Sequence, residues 1–183
     1  MGIDPGTATT GFGFIECSKD QFKLLDYGCI KTLPNQSLSS RLQQINDDLK
    51  TLLKTWKPDS VAIEELFFSK NVKTAIHVAH ARGAMMQLLS TSGYEIAEYK
   101  PQQVKAAVCG YGNAEKKQIQ KMVQLIFQMD HLPTPDDAAD ALAIAFCHAN
   151  TLKTNQILKS QEQLPAYNPS IISAGKNYYQ HFL

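Results

Sequence analysis

Residues 2–30 read GIDPGTATTGFGFIECSKDQFKLLDYGCI, and this stretch decides the fold. Residues 11–16 and 22–30 are apolar and rich in aromatic and β-branched side chains, with the polar turn Ser18-Lys19-Asp20 between them; both read as strands. Ahead of them, the short apolar piece Gly2-Ile3-Asp4 is stopped by Pro5-Gly6, a strong turn signal. Together the three pieces predict an antiparallel meander.

Working outward, residues 38–56 place Leu42, Ile45, Leu49, Leu52 and Leu53 at helical spacing, with Ser37 as N-cap and Pro58 as stop. Residues 60–63 form a short apolar strand ending in Glu64-Glu65, residues 71–89 a helix and residues 94–99 another strand. Residues 101–108 are a short helix opened by Pro101 at its first position. Residues 114–129 carry Ile119, Met122, Val123, Ile126 and Phe127 on one helical face, and residues 136–148 are an alanine-rich final helix. The pattern predicts an α/β chain: a five-stranded mixed sheet, its first three strands an antiparallel meander, flanked by helices on both faces. Beyond residue 150 the composition shifts to Asn, Gln, Ser and Tyr, with Pro165 and Pro169. Residues 1–150 are therefore expected to form one domain and residues 151–183 an extension or tail, consistent with the single core a chain of 183 residues favours.

Composition narrows the function. No apolar run approaches the roughly 20 residues that span a bilayer, and the start lacks a signal-peptide pattern; no membrane association is expected. Cys17, Cys29, Cys109 and Cys147 show neither zinc-site nor disulfide spacing. They are expected as small buried hydrophobes in a reducing compartment, the cytoplasm. The net charge of +1 by itself points to no polyanionic partner. Its distribution says more: residues 66–121 hold eight basic residues (Lys70, Lys73, Arg82, Lys100, Lys105, Lys116, Lys117, Lys121) against Glu95, Glu98 and Glu115. Glu64, Glu65, Asp136, Asp137 and Asp140 lie to either side. A cationic stretch bordering acids suits a protein that holds phosphates and cleaves them with a metal; two solvated helix faces would give the same counts.

The acids differ in what they imply. Asp4 closes a strand, at the edge where open α/β sheets place ligands, although Asp-Pro-Gly is also an ordinary turn. Glu64 and Glu65 follow another strand and point to opposite faces, so only one can enter a site shared with Asp4. Asp137 and Asp140 are three apart, hence on one helical face, among alanines small enough to press against a sheet. The helix dipole would favour Asp136 and Asp137 without any metal, and explains Asp140 less well. Four such acids without a His or Cys ligand set select a hard cation, Mg²⁺ or Mn²⁺ in preference to zinc. Two ions about 3.5–4 Å apart can activate water and stabilise the leaving oxygen of a phosphodiester.

A run of short motifs adds a resemblance. Gly-Ile-Asp4-Pro-Gly-Thr with Thr10-Gly11-Phe-Gly13 is followed by Ala62-Ile63-Glu64-Glu65-Leu66-Phe67-Phe68 and Lys70-Asn71. Next come Ala81-Arg82-Gly83, Glu98-Tyr99, Gln103-Val104-Lys105, Gly110 to Gly112, Ala114-Glu115-Lys116 and Asp137-Ala-Ala-Asp140-Ala-Leu-Ala-Ile-Ala. In this order and spacing the sequence resembles the RuvC family of Holliday-junction resolvases over residues 2 to about 150.

The resemblance implies an RNase H-like fold and a homodimer that cleaves opposing strands of a four-way DNA junction, leaving 5′-phosphate ends, in homologous recombination and repair. It implies Asp4, Glu64, Asp137 and Asp140 as catalytic and metal-holding acids, choosing Glu64 over Glu65 and Asp137 over Asp136, with two Mg²⁺ ions that Mn²⁺ can replace. It further implies DNA contacts from Lys105, Lys116, Lys70, Phe67 and Phe68, dimerisation through the helix bearing His77 and His80, and a branch-migration helicase complex of the RuvA–RuvB type as partner. Two departures stand out. The first strand is short, so Asp4 is expected on an unusually brief element, and residues 151–183 match nothing in the family pattern. Competing readings are another RNase H-like nuclease acting on RNA or branched nucleic acid, an actin-like ATPase, for which the chain is too short, and a catalytically silent junction-binding protein, against which the four acids speak.

Overall fold

The computed structural model describes residues 1–18, 21–66 and 72–162. Among these, five strands form one sheet in the order β3-β2-β1-β4-β5. They are β1 (Gly2–Asp4), β2 (Thr9–Ser18), β3 (Gln21–Lys31), β4 (Val61–Glu64) and β5 (Ile96–Tyr99). β1, β2 and β3 form the expected antiparallel meander, and β1, β4 and β5 run parallel. The helices are α1 (Leu38–Trp56), α2 (Val72–Thr91), α3 (Pro101–Cys109), α4 (Lys116–Ile126) and α5 (Asp136–Glu162). The chain divides into two compact units, Met1–Asn150 and Thr151–Leu183; the candidate site lies wholly in the first.

Two cores sandwich the sheet. On one face α1 (Ile45, Leu49, Leu53) and α2 (Ala81, Met85, Leu89) cover Ile3, Phe14, Ile30, Val61 and Ile63. On the other, α3, α4 and α5 cover Ala62 and Tyr99 with Val104, Val108, Ile119, Val123, Leu142 and Phe146. Strand alternation follows: Ile3 and Ile63 face the first core, so Gly2, Ala62 and, two residues on, Asp4 and Glu64 face the second. β1 is brief, as expected, yet central. It pairs with β2 on one side and β4 on the other, and Ile3 is fully buried; burying such a side chain stabilises by about 1.5–3 kcal/mol.

Several boundaries differ from expectation for local reasons. α1 itself keeps its expected bounds: Ser37 caps it, its side chain accepting from Ser40 N–H, and the helix ends at Trp56, with Lys57 in the left-handed region (φ 45°) just ahead of Pro58. β5 opens at Ile96 because Tyr94 N–H is spent on the Leu89 carbonyl at 3.0 Å, closing α2 after left-handed Gly93. α4 starts only after Glu115, whose N–H donates to Gln118 Oε1 at 2.8 Å in a capping box, and Phe127 closes it. α5 extends to Glu162 and does not end at His148, because residues 149–162 contain no Gly or Pro and many good helix formers. The expectation that all four cysteines are buried fails for Cys17, which is exposed, while Cys147 is buried; all four are free thiols. Lys19 and Asp20 lie outside the described residues. No helix among the described residues is long and apolar enough to cross a membrane.

Candidate active site

The register of the sheet assembles the site. β1 and β4 pair Gly2 with Ala62 and Ile3 with Ile63, so the next step along both strands sets Asp4 beside Glu64. On the other side Asp4 pairs with Gly11, and Gly2 with Gly13. These three glycines make a floor without side chains on which α5 rests. A Cβ at Gly11 would lie 1.9 Å from the Asp137 carbonyl oxygen, one at Gly2 would lie 2.2 Å from the Ala141 oxygen, and one at Gly13 would meet the Leu142 side chain at 2.8 Å. Ala138, Ala139, Ala141 and Ala145 complete the approach from the helix side, all essentially buried. The first turns of α5 are thereby lowered onto the ends of β1 and β2, and Asp137 and Asp140 come to the strand-end acids.

The electrostatics record this convergence. Burial raises the Asp4 carboxyl well above the ordinary carboxylate range, and Glu64, Asp140 and Asp137 raise it further, with Lys116 opposing. Glu64 is pushed up to about 7 by burial and then by Asp140, against Lys105 and Lys116. Asp140 is also raised, burial outweighing the Lys116 ammonium 3.1 Å away. Glu65 contributes to none of these shifts. Lys116 also reaches Asp136 at 3.5 Å, and Gln120 Nε2 donates to Asp136 at 2.6 Å; Asp136 is thus occupied by α4. Burial works against the Lys116 ammonium, but Asp140 and Asp136 outweigh it and raise its pKa. Among the described residues Asp4, Glu64 and Asp137 have no ion-pair partner.

A cleft of about 170 Å³ opens beside the acids, lined by Glu64, Lys105, Lys116, Ile119, Asp140 and Ala143, with Pro101 and Val104. Lys105 and Lys116 come from α3 and α4, so a cationic wall faces an acidic one. No three His, Cys, Asp or Glu side chains among the described residues form a ready-made metal cage. The donor set nevertheless fits a hard cation: carboxylate oxygens only, crowded and partly buried, with one lysine neutralising one edge.

Phe67, Phe68 and Lys70 lie outside the described residues. His77 and His80 are exposed on α2. Arg82 contacts the end of β4, through the Glu64 carbonyl at 3.0 Å. The sequence reading left Arg82 unassigned, and it missed the glycine floor and a set of buried hydroxyls. Those hydroxyls fix the turn after Asp4: Thr7 Oγ1 donates to the His77 carbonyl at 2.5 Å, Thr32 Oγ1 to the Thr7 carbonyl at 2.6 Å, and Thr10 Oγ1 to the Gly6 carbonyl at 2.7 Å. The hint available was Thr7 and Thr10 following closely on a strand-ending acid.

With this geometry in place, a family model for crossover junction endodeoxyribonuclease RuvC matches residues 1–148. The chain belongs to the RuvC family. It is 49% identical over 160 residues to the crossover junction endodeoxyribonuclease RuvC of Syntrophomonas wolfei, covering 87% of this chain and 93% of that one. RuvC of T. thermophilus, solved in complex with Holliday junction substrate, superposes with a TM-score of 0.79 at 34% identity, over 84% of this chain and 94% of its own. The yeast mitochondrial Holliday junction resolvase Ydc2 shares the fold alone, with a TM-score of 0.63 at 13% identity, over 87% of this chain and 84% of its own. RuvC membership favours the junction-nuclease reading over the actin-like and silent-binder alternatives, and the RNase H-like architecture is as expected.

Proposed function

We propose that this chain resolves four-way DNA junctions by hydrolysing one phosphodiester in each of two opposing strands, leaving 5′-phosphate ends, with Asp4, Glu64, Asp137 and Asp140 as its catalytic acids. The observation that carries the reading is the meeting of strand-end and helix carboxylates beside a lysine-walled cleft, in a chain of the RuvC family. The four acids would hold two Mg²⁺ ions, for which Mn²⁺ can substitute; when bound, these supply Lewis-acid polarisation and a nucleophile at neutral pH. The protein's own part is to hold the carboxylates converged, so that a bound cation displaces their protons, and to present Lys105 and Lys116 to the phosphates. Phe67 and Phe68 are assigned to stacking on unpaired bases at the junction centre, worth about 1–3 kcal/mol per base, and Lys70 to the backbone beside them. Residues 1–150 act as the nuclease domain, residues 151–183 being an extension. Paired symmetric cuts call for a homodimer, working in the cytoplasm in recombination and repair, with a branch-migration helicase complex of the RuvA–RuvB type as partner.

The substrate test compares a synthetic four-way junction with a linear duplex of the same sequence, each with Mg²⁺ and with EDTA. Paired symmetric nicks only in the junction with Mg²⁺ are expected; equal cutting of the duplex would overturn junction selectivity. The lysines are tested separately. Lys105→Ala should weaken junction binding and lower the slope of log affinity against log salt by about 0.9, the value for one phosphate contact. Lys116→Ala should do the same and also slow cleavage, since it strips Asp140 of its counter-ion. A salt slope identical to wild type would remove the lysine concerned from the DNA interface.

A further inference from the structure

We propose that Arg82 is a positioning residue for the cleavage reaction, holding the end of β4 from the sheet face opposite the carboxylates; this rests on the reading of Glu64 as a catalytic acid. Arg82 Nε donates to the Glu64 main-chain carbonyl at 3.0 Å. Its guanidinium is held in turn by an ion pair with Glu98 on β5, where Glu98 stands opposite Ile63 in the sheet register. The Arg82 side chain is 16% exposed and its bond to the Glu64 carbonyl is partly buried, whereas Glu98 lies toward solvent.

The same peptide unit is held at its other end as well, Glu65 N–H donating to the Tyr99 carbonyl at 2.8 Å. The Glu64 backbone is therefore gripped on both sides just where the strand stops pairing and its side chain turns toward Asp140. A strand end left with a bare carbonyl would be free to rotate Glu64 about its backbone; a charge-assisted bond from a rigid guanidinium removes that freedom.

The same helix also holds the other strand. Thr7, in the turn that follows Asp4, donates to the His77 carbonyl of α2, about one and a half turns before Arg82. Ala81, Met85 and Leu89 anchor α2 in the core beneath, each fully buried. One buried helix thus serves as a common reference for the main chain behind both strand-end carboxylates. Arg82 addresses a carbonyl and Glu98, not the Glu64 carboxylate, so its loss leaves the acid set intact and alters placement alone.

The test compares Arg82→Gln, Arg82→Lys and Glu98→Gln with wild type in the full chain. It reads thermal melting, junction affinity in EDTA, single-turnover cleavage at saturating protein, and the Mg²⁺ concentration giving half the maximal rate. Arg82→Gln should keep its fold and junction affinity but cleave about 10- to 100-fold more slowly, as losses of supporting contacts around metal sites do. Its half-maximal Mg²⁺ concentration should rise, and Arg82→Lys should restore part of the rate. Glu98→Gln, which leaves the arginine in place but loosens it, should fall between wild type and Arg82→Gln and covers the case in which Arg82→Gln does not fold. Wild-type rate and Mg²⁺ requirement in folded Arg82→Gln and Glu98→Gln would overturn the proposal. So would losses of rate that merely follow losses of melting temperature across the three variants. Glu64→Gln in the same assay separates the two readings: if it cuts normally, the Glu64 assignment fails, whereas a dead Glu64→Gln beside a normal Arg82→Gln sinks only the positioning role.

Discussion

Asp4→Asn is expected to make the metal-free protein more heat-stable near pH 8 while abolishing junction cleavage. Asp4 is a partly buried carboxylate, and Glu64, Asp140 and Asp137 add repulsion that Lys116 only partly offsets. Asparagine keeps the shape and removes the charge, so a gain of about 1–2 kcal/mol, roughly 3–6 °C for a chain of this size, is predicted. Cleavage should fall on the order of a thousandfold, because stabilisation of transition-state charge by the cation is worth several kcal/mol.

The pH dependence has a definite sign. Asp4 and Glu64 titrate above their ordinary values, Glu64 at about 7, so the folded protein keeps protons that the unfolded chain has released. The stability this contributes is complete below the ordinary carboxylate range and is lost as pH rises through about 7. Metal-free wild type should therefore lose this contribution between about pH 5 and pH 8, and Asp4→Asn should lose less. Mg²⁺ binds the deprotonated form, so it should raise the wild-type melting temperature at the higher pH and hardly at the lower one. Thermal melts of both proteins at the two pH values, with Mg²⁺ and with EDTA, check all of this. A less stable Asp4→Asn at the higher pH would show that the acids are already neutralised without a cation.

The second large effect is expected at a residue with no chemistry of its own. Gly11→Ala places a methyl where the Asp137 carbonyl oxygen stands 1.9 Å away, and both partners are main chain, so neither can swing aside. The start of α5 must lift. Overpacking of this kind costs about 1–3 kcal/mol, and the lift also draws Asp137 away from Asp4. Cleavage should drop by more than the stability loss explains, since misplacement of about 1 Å can cost on the order of a hundredfold. Gly83→Ala is the control, because a Cβ there meets nothing within 4 Å. Melting and single-turnover rates decide it; a Gly11→Ala protein with wild-type rate would mean that α5 need not sit on the glycine floor.

Most of the scaffold was legible because it is written in local signals. Ser37 before the leucine stripe marked the start of α1, Pro101 the start of α3, and Asp4 before Pro5-Gly6 the end of β1. The alanines around Asp137 and Asp140 predicted a helix pressed against the sheet. What the helix presses on was not legible: Gly2, Gly11 and Gly13 become one floor only through the pairing of β1 with β2. The bond from Arg82 to a backbone carbonyl leaves no side-chain pattern to find. Lys116 came out as a DNA contact by resemblance, whereas its ion pair with Asp140 depends on how α4 packs on α5, 24 positions apart in sequence.

The most direct test of the four-acid centre is nick mapping on a synthetic four-way junction at saturating protein with Mg²⁺. Wild type, Asp4→Asn, Glu64→Gln, Asp137→Asn, Asp140→Asn and the control Asp136→Asn would be run side by side. None of the four central variants should nick, although all should still shift the junction, and Asp136→Asn, whose carboxylate is held by Gln120 and Lys116, should nick symmetrically. Paired nicks from any of the four at a rate near wild type would contradict the assignment of that acid and, with it, the proposed metal centre.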